Sequence, residues 1–79
     1  MCSEKYACPC CGYKVLDEQP PGTFEVCHIC YWEDDNVQLA EPDYAGGANP
    51  VSLRQAQQNF RAFGASAPAY TSYVRKPSV

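Results

Sequence analysis

A small α+β domain, built from a short β-hairpin and one helix, is what this sequence predicts. Three observations lead there. The chain has 79 residues, enough for one domain but not for a core that is comfortably stable by itself. Four of its six cysteines form two pairs separated by fifteen residues. One stretch, residues 52–63, repeats its apolar side chains at helical spacing.

The cysteine pairs are Cys8-Pro9-Cys10-Cys11 and Cys27-His28-Ile29-Cys30, a C-x2-C-x15-C-x2-C pattern. This lies inside the spacing window of a four-cysteine metal site. Two intervening residues let both thiolates of a tight turn face one ion, and two turns supply four tetrahedral ligands at about 2.3 Å. Cys8, Cys11, Cys27 and Cys30 are therefore the expected ligands of one Zn2+ ion. Iron in a rubredoxin-like site, or disulfide and thiol redox chemistry, are the alternatives. The fold class sharpens to a zinc-ribbon or rubredoxin-like pair of cysteine knuckles. A closed four-thiolate shell keeps no place for water or substrate, so the ion reads as structural and no enzyme is expected. Metal binding to such peptides contributes about 10–16 kcal/mol, more than a core of this size supplies.

Cys2, Cys10 and His28 remain. Cys10 fills the second variable position of the first turn and is expected to point away from the ion. His28 reads as a solvated or hydrogen-bonded loop residue. The two turns are expected to differ. Gly12 follows the second ligand of the first and can take positive φ, whereas Tyr31 holds that place in the second, where positive φ would be strained.

Residues 8–32 form the expected metal unit. Within it Tyr13-Lys14-Val15-Leu16 and Thr23-Phe24-Glu25-Val26 read as the two strands of the hairpin. Phe24 and Val26 alternate with polar neighbours, which predicts that they face inward. Pro20-Pro21-Gly22 is turn chemistry, with Pro21 fixing φ and Gly22 accepting positive φ. Residues 33–50 are acidic and loop-like, interrupted by Pro42, Gly46, Gly47 and Pro50. In the helix, Ser52 is the expected N-cap with Gln55 three residues later, a capping-box arrangement. Leu53, Ala56, Phe60 and Phe63 fall within roughly 80° of one another at helical spacing, and Gly64 ends it. This stripe should dock near Val15, Phe24 and Trp32. One domain is thus expected over 1–65, with 66–79 as a tail that either trails or packs back as an extended arm through Tyr70, Tyr73, Val74, Arg75 and Lys76.

The net charge is −3, and 46% of residues are apolar, a globular balance that argues against strong nucleic-acid binding. No apolar run approaches the ~18 residues needed to span a membrane. The start of the sequence has no apolar stretch of the signal-peptide kind, so a cytoplasmic location is expected. Charge is sorted along the chain: Asp17 to Asp43 contains eight acidic residues and no Lys or Arg, while Ala45 to Val79 contains four basic residues and no acid. Arg54 and Arg61 are placed to meet the acidic loop if the helix packs on the metal unit.

The string Tyr6-Ala7-Cys8-Pro9-Cys10-Cys11-Gly12-Tyr13, together with Pro20-Pro21-Gly22-Thr23-Phe24-Glu25-Val26-Cys27, Trp32-Glu33-Asp34-Asp35, Gly46-Gly47-Ala48-Asn49 and Asn59-Phe60, resembles the bacterial cysteine-rich CPCC family. The resemblance covers about Tyr6 to Ala65. It implies a bacterial, cytoplasmic protein with a small metal-binding domain, and it implies no reaction.

The function expected from these residues is a structural zinc-binding module acting as a protein-interaction or adaptor domain. Its candidate docking patch for a basic protein partner is Trp32, Glu33, Asp34 and Asp35. Trp32 is also read as core or as cover for the metal. The alternatives are a redox or metal-handling protein, for which Cys10 beside Cys11 is the motivating feature, and a nucleic-acid-binding zinc ribbon using Arg54, Arg61, Arg75 and Lys76. A monomer is expected.

Overall fold

The computed structural model describes residues 5–20 and 22–74. The expectations for Cys2, Pro21, Arg75 and Lys76 lie outside the described residues.

Strands β1 (Tyr6–Ala7) and β2 (Lys14–Leu16) pair antiparallel, with Tyr6 opposite Leu16 and Ala7 opposite Lys14. The first cysteine turn is the loop of this hairpin. The second turn is the loop of another, in which Val26 faces Glu33 in a single antiparallel bridge. Phe24 N–H donates to the Asp34 carbonyl and Asp34 N–H to the Glu25 carbonyl, both at 3.0 Å. The expected pairing of Tyr13–Leu16 with Thr23–Val26 is therefore replaced: each segment pairs across its own cysteine turn. The three connections, 8–13, 17–22 and 27–32, are equally long, so chain entropy does not choose between them. Each cysteine turn closes its own loop, with Cys8 N–H donating to the Tyr13 carbonyl and Cys27 N–H to the Trp32 carbonyl.

The Glu25 carboxylate joins the hairpins, accepting from Asp17 N–H at 2.9 and 3.0 Å and from Glu18 N–H at 3.3 Å. This inverts the expected alternation. Phe24 and Val26 face solvent, 57% and 42% exposed, while Thr23 and Glu25 turn towards the protein and bind backbone or carboxylate groups.

The acidic segment is not wholly loop. It contains α1 (Asn36–Ala40), capped by Asp35, whose Oδ1 accepts from Val37 N–H at 2.8 Å and Gln38 N–H at 3.2 Å. A helix this short has too few turns to leave a periodic signature. Beyond it, Gln38 is fully buried among polar groups. Its Nε2 donates to the Tyr44 and Val51 carbonyls, and its Oε1 accepts from Asn49 N–H and Nδ2. Asn49 in turn brackets Glu33, accepting from its N–H and donating to its carbonyl, both at 2.8 Å. This network fastens the 33–50 segment to the second hairpin.

Helix α2 (Leu53–Phe63) follows the expected boundaries. Ser52 Oγ accepts from Gln55 N–H, and Gly64 closes the end at φ 86°. The Gln55 side chain donates to Asn59 Oδ1, so the reciprocal half of the capping box is not made. Leu53 and Ala56 enter the core beside Leu16, Ile29, Trp32 and the buried cysteines, with Val15 and Phe60 packed against its edge. Phe24 and Phe63 stay outside.

The start of the 65–74 segment packs on the domain. Ala65, Ser66 and Ala67 are buried. Ser66 N–H donates to the Cys30 carbonyl at 2.7 Å, and Asn59 Nδ2 donates to the Ser66 carbonyl at 2.9 Å. After a 3-10 turn at Pro68–Tyr70, the Tyr70 and Tyr73 rings lie 4.7 and 5.5 Å from the Tyr31 ring.

Candidate metal centre

The Cys8, Cys11, Cys27 and Cys30 sulfurs all lie within 4.8 Å of one another. Cys8 Sγ is 3.6 Å from Cys30 Sγ, and Cys11 Sγ is 3.7 Å from Cys27 Sγ. A tetrahedron with metal–sulfur bonds of 2.3 Å has an edge of about 3.8 Å, so these separations fit one ion held by four thiolates. They are far beyond the 2.0 Å of a disulfide, and the described cysteines are all free. Tetrahedral sulfur coordination suits zinc or iron.

Both cysteine turns place their sulfurs by the same device. In the first, Gly12 N–H donates to the Cys8 carbonyl at 2.8 Å and Cys8 N–H to the Tyr13 carbonyl at 3.0 Å. In the second, Tyr31 N–H donates to the Cys27 carbonyl at 2.7 Å and Cys27 N–H to the Trp32 carbonyl at 2.9 Å. Gly12 has φ 82° and Tyr31 has φ 70°. The expected difference between the turns is corrected: Tyr31 accepts the left-handed backbone. Its ring, stacked on Tyr70 and Tyr73, supplies packing that offsets the steric cost of about 1–2 kcal/mol.

Sulfur packed on sulfur disfavours simultaneous ionisation. Hydrogen bonds among the thiols, and then burial, hold Cys8 and Cys11 far above the ordinary thiol range. Cys30 is raised too, first through Cys10. Cys27 is lowered, first through its sulfur contact with Cys11 and then through Cys30 and Cys8. Four thiolates this close would repel one another. A divalent cation supplies the charge that lets all four deprotonate.

Cys10 is outside the tetrad; only 7% of the residue is exposed, and it belongs to the same buried cluster as Cys8, Cys27 and Cys30. His28 is exposed at the tip of the second turn and does not join the cluster. Trp32 is 1% exposed and forms part of the wall around the tetrad.

The proposed acidic docking patch is corrected by burial. Asp34 is 1% exposed, and its Oδ2 accepts from Thr23 N–H and from the Thr23 hydroxyl. Asp35 is also buried, capping α1 and accepting Ala48 N–H on Oδ2 at 2.8 Å. With Trp32 inward as well, only Glu33 of the four is even partly exposed. Both carboxylates bond groups within the fold. The Ala48 N–H, with those of Gln38 and Val37, keeps the Asp35 carboxyl below the ordinary carboxylate range.

The expected meeting of helix and acidic loop occurs at Arg54, whose Nε lies 2.6 Å from Asp43 Oδ1 on the surface. Arg61 makes no salt bridge among the described residues; it lines a groove beside Cys10 and Cys11. Sequence reasoning missed the Asp35–Gln38–Asn49 network. The available signal was an Asp directly ahead of Asn36-Val37-Gln38, the chemistry of an N-cap.

Two equivalent turns converging four sulfurs on one point define a four-cysteine metal-binding module. More specifically, the chain belongs to the Cysteine-rich CPCC family, whose model matches residues 6–79. The match continues past Ala65, where the resemblance was expected to stop, and so includes the segment that packs on Tyr31. No curated protein matches the chain. Among the described residues, no helix is long and apolar enough to cross a membrane.

Proposed function

We propose that this protein is a structural zinc-binding module acting as a protein-interaction or adaptor domain. The observation that supports it best is the tetrahedral spacing of four cysteine sulfurs, three of whose residues are fully buried. Cys8, Cys11, Cys27 and Cys30 would hold the ion, and the ion would tie the two hairpins together where the hydrophobic core is small. A saturated shell leaves no open position for substrate, which favours a structural over a catalytic role. The interaction surface lies elsewhere than on Asp34 and Asp35, since both are committed internally.

Elemental analysis of the isolated protein tests the metal: one zinc per chain in a colourless protein is expected, and stoichiometric iron with visible absorbance would overturn the zinc assignment in favour of an electron carrier. Native mass spectrometry of the protein drawn gently from its own cells tests the adaptor role. A complex of fixed stoichiometry is expected, and recovery of the free chain alone would count against it.

A second reading, thiol sensing, is favoured by one observation. Cys10 is a free thiol in the same buried cluster as the tetrad without belonging to it.

A further inference from the structure

The four tetrad residues are not equally shielded. Cys8 is 1% exposed and Cys27 and Cys30 are fully buried, whereas Cys11 is only partly buried. Gly12, next to it, has no side chain to cover it, and a Cβ there would meet no atom within 4 Å. A groove of about 360 Å³ opens at this point between the first cysteine turn and α2, and Cys10 and Cys11 are in its lining. Small solutes therefore reach one ligand of the tetrad and not the other three. The sulfur contacts across the site are also specific. Cys11 Sγ is 3.7 Å from Cys27 Sγ, and Cys8 Sγ is 3.6 Å from Cys30 Sγ. Each of these contacts joins the first turn to the second. A cysteine that holds a metal ion does so as the thiolate, which is also the nucleophilic form. Cys10 lies outside the tetrad, so no ion draws its proton away.

We propose that Cys11 is the site at which hydrogen peroxide oxidises the tetrad, and that Cys27 then closes a disulfide with it between the two turns. This site deepens the thiol-sensing reading, with Cys11 in place of Cys10 as the first thiol to react, and it depends on the tetrad holding an ion. The Cys11 thiolate attacks one peroxide oxygen. The O–O bond breaks, a Cys11 S–OH bond forms, and the other oxygen leaves as hydroxide. The Cys27 thiolate, 3.7 Å away, attacks the Cys11 sulfur. The S–O bond breaks, the disulfide forms, and a second hydroxide leaves. Two thiolates lose one electron each and one peroxide gains both. The ion keeps only Cys8 and Cys30 and departs, and those two sulfurs take up protons from water. The new bond joins the two turns as the ion did, so the oxidised chain holds its hairpins together after the ion has left.

The test treats the metal-loaded protein with hydrogen peroxide. Metal release is followed with a chromophoric chelator, sulfenic acid is trapped with dimedone, and disulfides are mapped by peptide mass after alkylation. Dimedone is expected on Cys11. Without dimedone, released metal should match a Cys11–Cys27 disulfide one to one, with Cys8, Cys10 and Cys30 alkylated. Cys10→Ser should release metal within twofold of the wild-type rate and give the same disulfide. The oxidised, metal-free chain should keep the near-ultraviolet dichroism that the reduced, chelated chain loses. Dimedone on another cysteine, a disulfide within one turn or involving Cys10, release slowed at least tenfold in Cys10→Ser, or loss of the dichroism in the cross-linked chain would overturn the proposal. Protein isolated without metal, or a reduced and chelated chain that stays folded, would instead overturn the tetrad reading, and the mapped disulfide would still decide which sulfurs pair.

Discussion

Gly12 and Tyr31 occupy the same place in two equivalent turns, at φ 82° and 70°, each donating its N–H to the carbonyl of the first cysteine in its pair. The conformation is required by the cysteine geometry, so each residue type bears it differently. At Gly12 a Cβ would meet no atom within 4 Å, so Gly12→Ala probes backbone strain alone. It should cost about 1–2 kcal/mol, read as a lower midpoint in thermal or denaturant unfolding, with metal stoichiometry unchanged. An unaltered midpoint would show that the turn does not hold positive φ in solution.

Phe24 also has positive φ, 58°, and its ring is mostly in solvent. The Thr23 hydroxyl encloses it, accepting Glu25 N–H at 3.1 Å while donating to Asp34 Oδ2. Phe24→Gly should therefore be tolerated and raise stability by up to about 1 kcal/mol, because the strain removed exceeds the packing lost. Chemical denaturation of the two proteins side by side checks the sign.

Asp35 predicts a pH dependence. Its folded-state carboxyl titrates below the ordinary range, so the unfolded chain binds that proton first as pH falls. The contribution is complete above about pH 4, shrinks below it, and vanishes once the pH drops under the folded value. Asp35→Ala should cost about 1–2 kcal/mol at pH 7 through the lost N-cap and the lost Ala48 partner. The gap between the two proteins should close in acid. A gap independent of pH would remove the carboxylate from this role.

Gln38 and Asn49 form a buried pair in which Gln38 Oε1 accepts both the backbone N–H and the Nδ2 of Asn49, so removing Gln38 orphans the Asn49 backbone N–H and takes a donor from the Tyr44 and Val51 carbonyls. Gln38→Leu should destabilise by about 1–3 kcal/mol per orphaned group despite its added hydrophobicity. Amide exchange at Asn49 should quicken relative to residues in α2. Wild-type protection at Asn49 would contradict the network.

The legible parts of the molecule were those with a short-range chemical cause. Cys8, Cys11, Cys27 and Cys30 announced themselves by spacing, and Ser52 and Gly64 bounded α2 by capping chemistry. Strand partners were less legible: Thr23–Val26 has the alternation of a strand, but no pattern within it says that Glu33 and Asp34, not Val15, lie opposite. Asp34 and Asp35 were misread because charge suggests solvent, whereas the side chains satisfy backbone N–H groups inside the fold. The C-terminal segment was obscure for a related reason. Ser66 and Ala67 are small residues whose burial depends on the Cys30 carbonyl and Asn59 reaching them, contacts set by tertiary structure.

Removing the ion tests the metal reading most directly. Native mass spectrometry of untreated protein, before and after a strong chelator, reports bound mass and compactness together. One divalent ion per chain in a narrow, low charge-state distribution is expected, giving way to a broad, high distribution as the ion is withdrawn. A chain that never carried metal, or that stays compact without it, would contradict the reading.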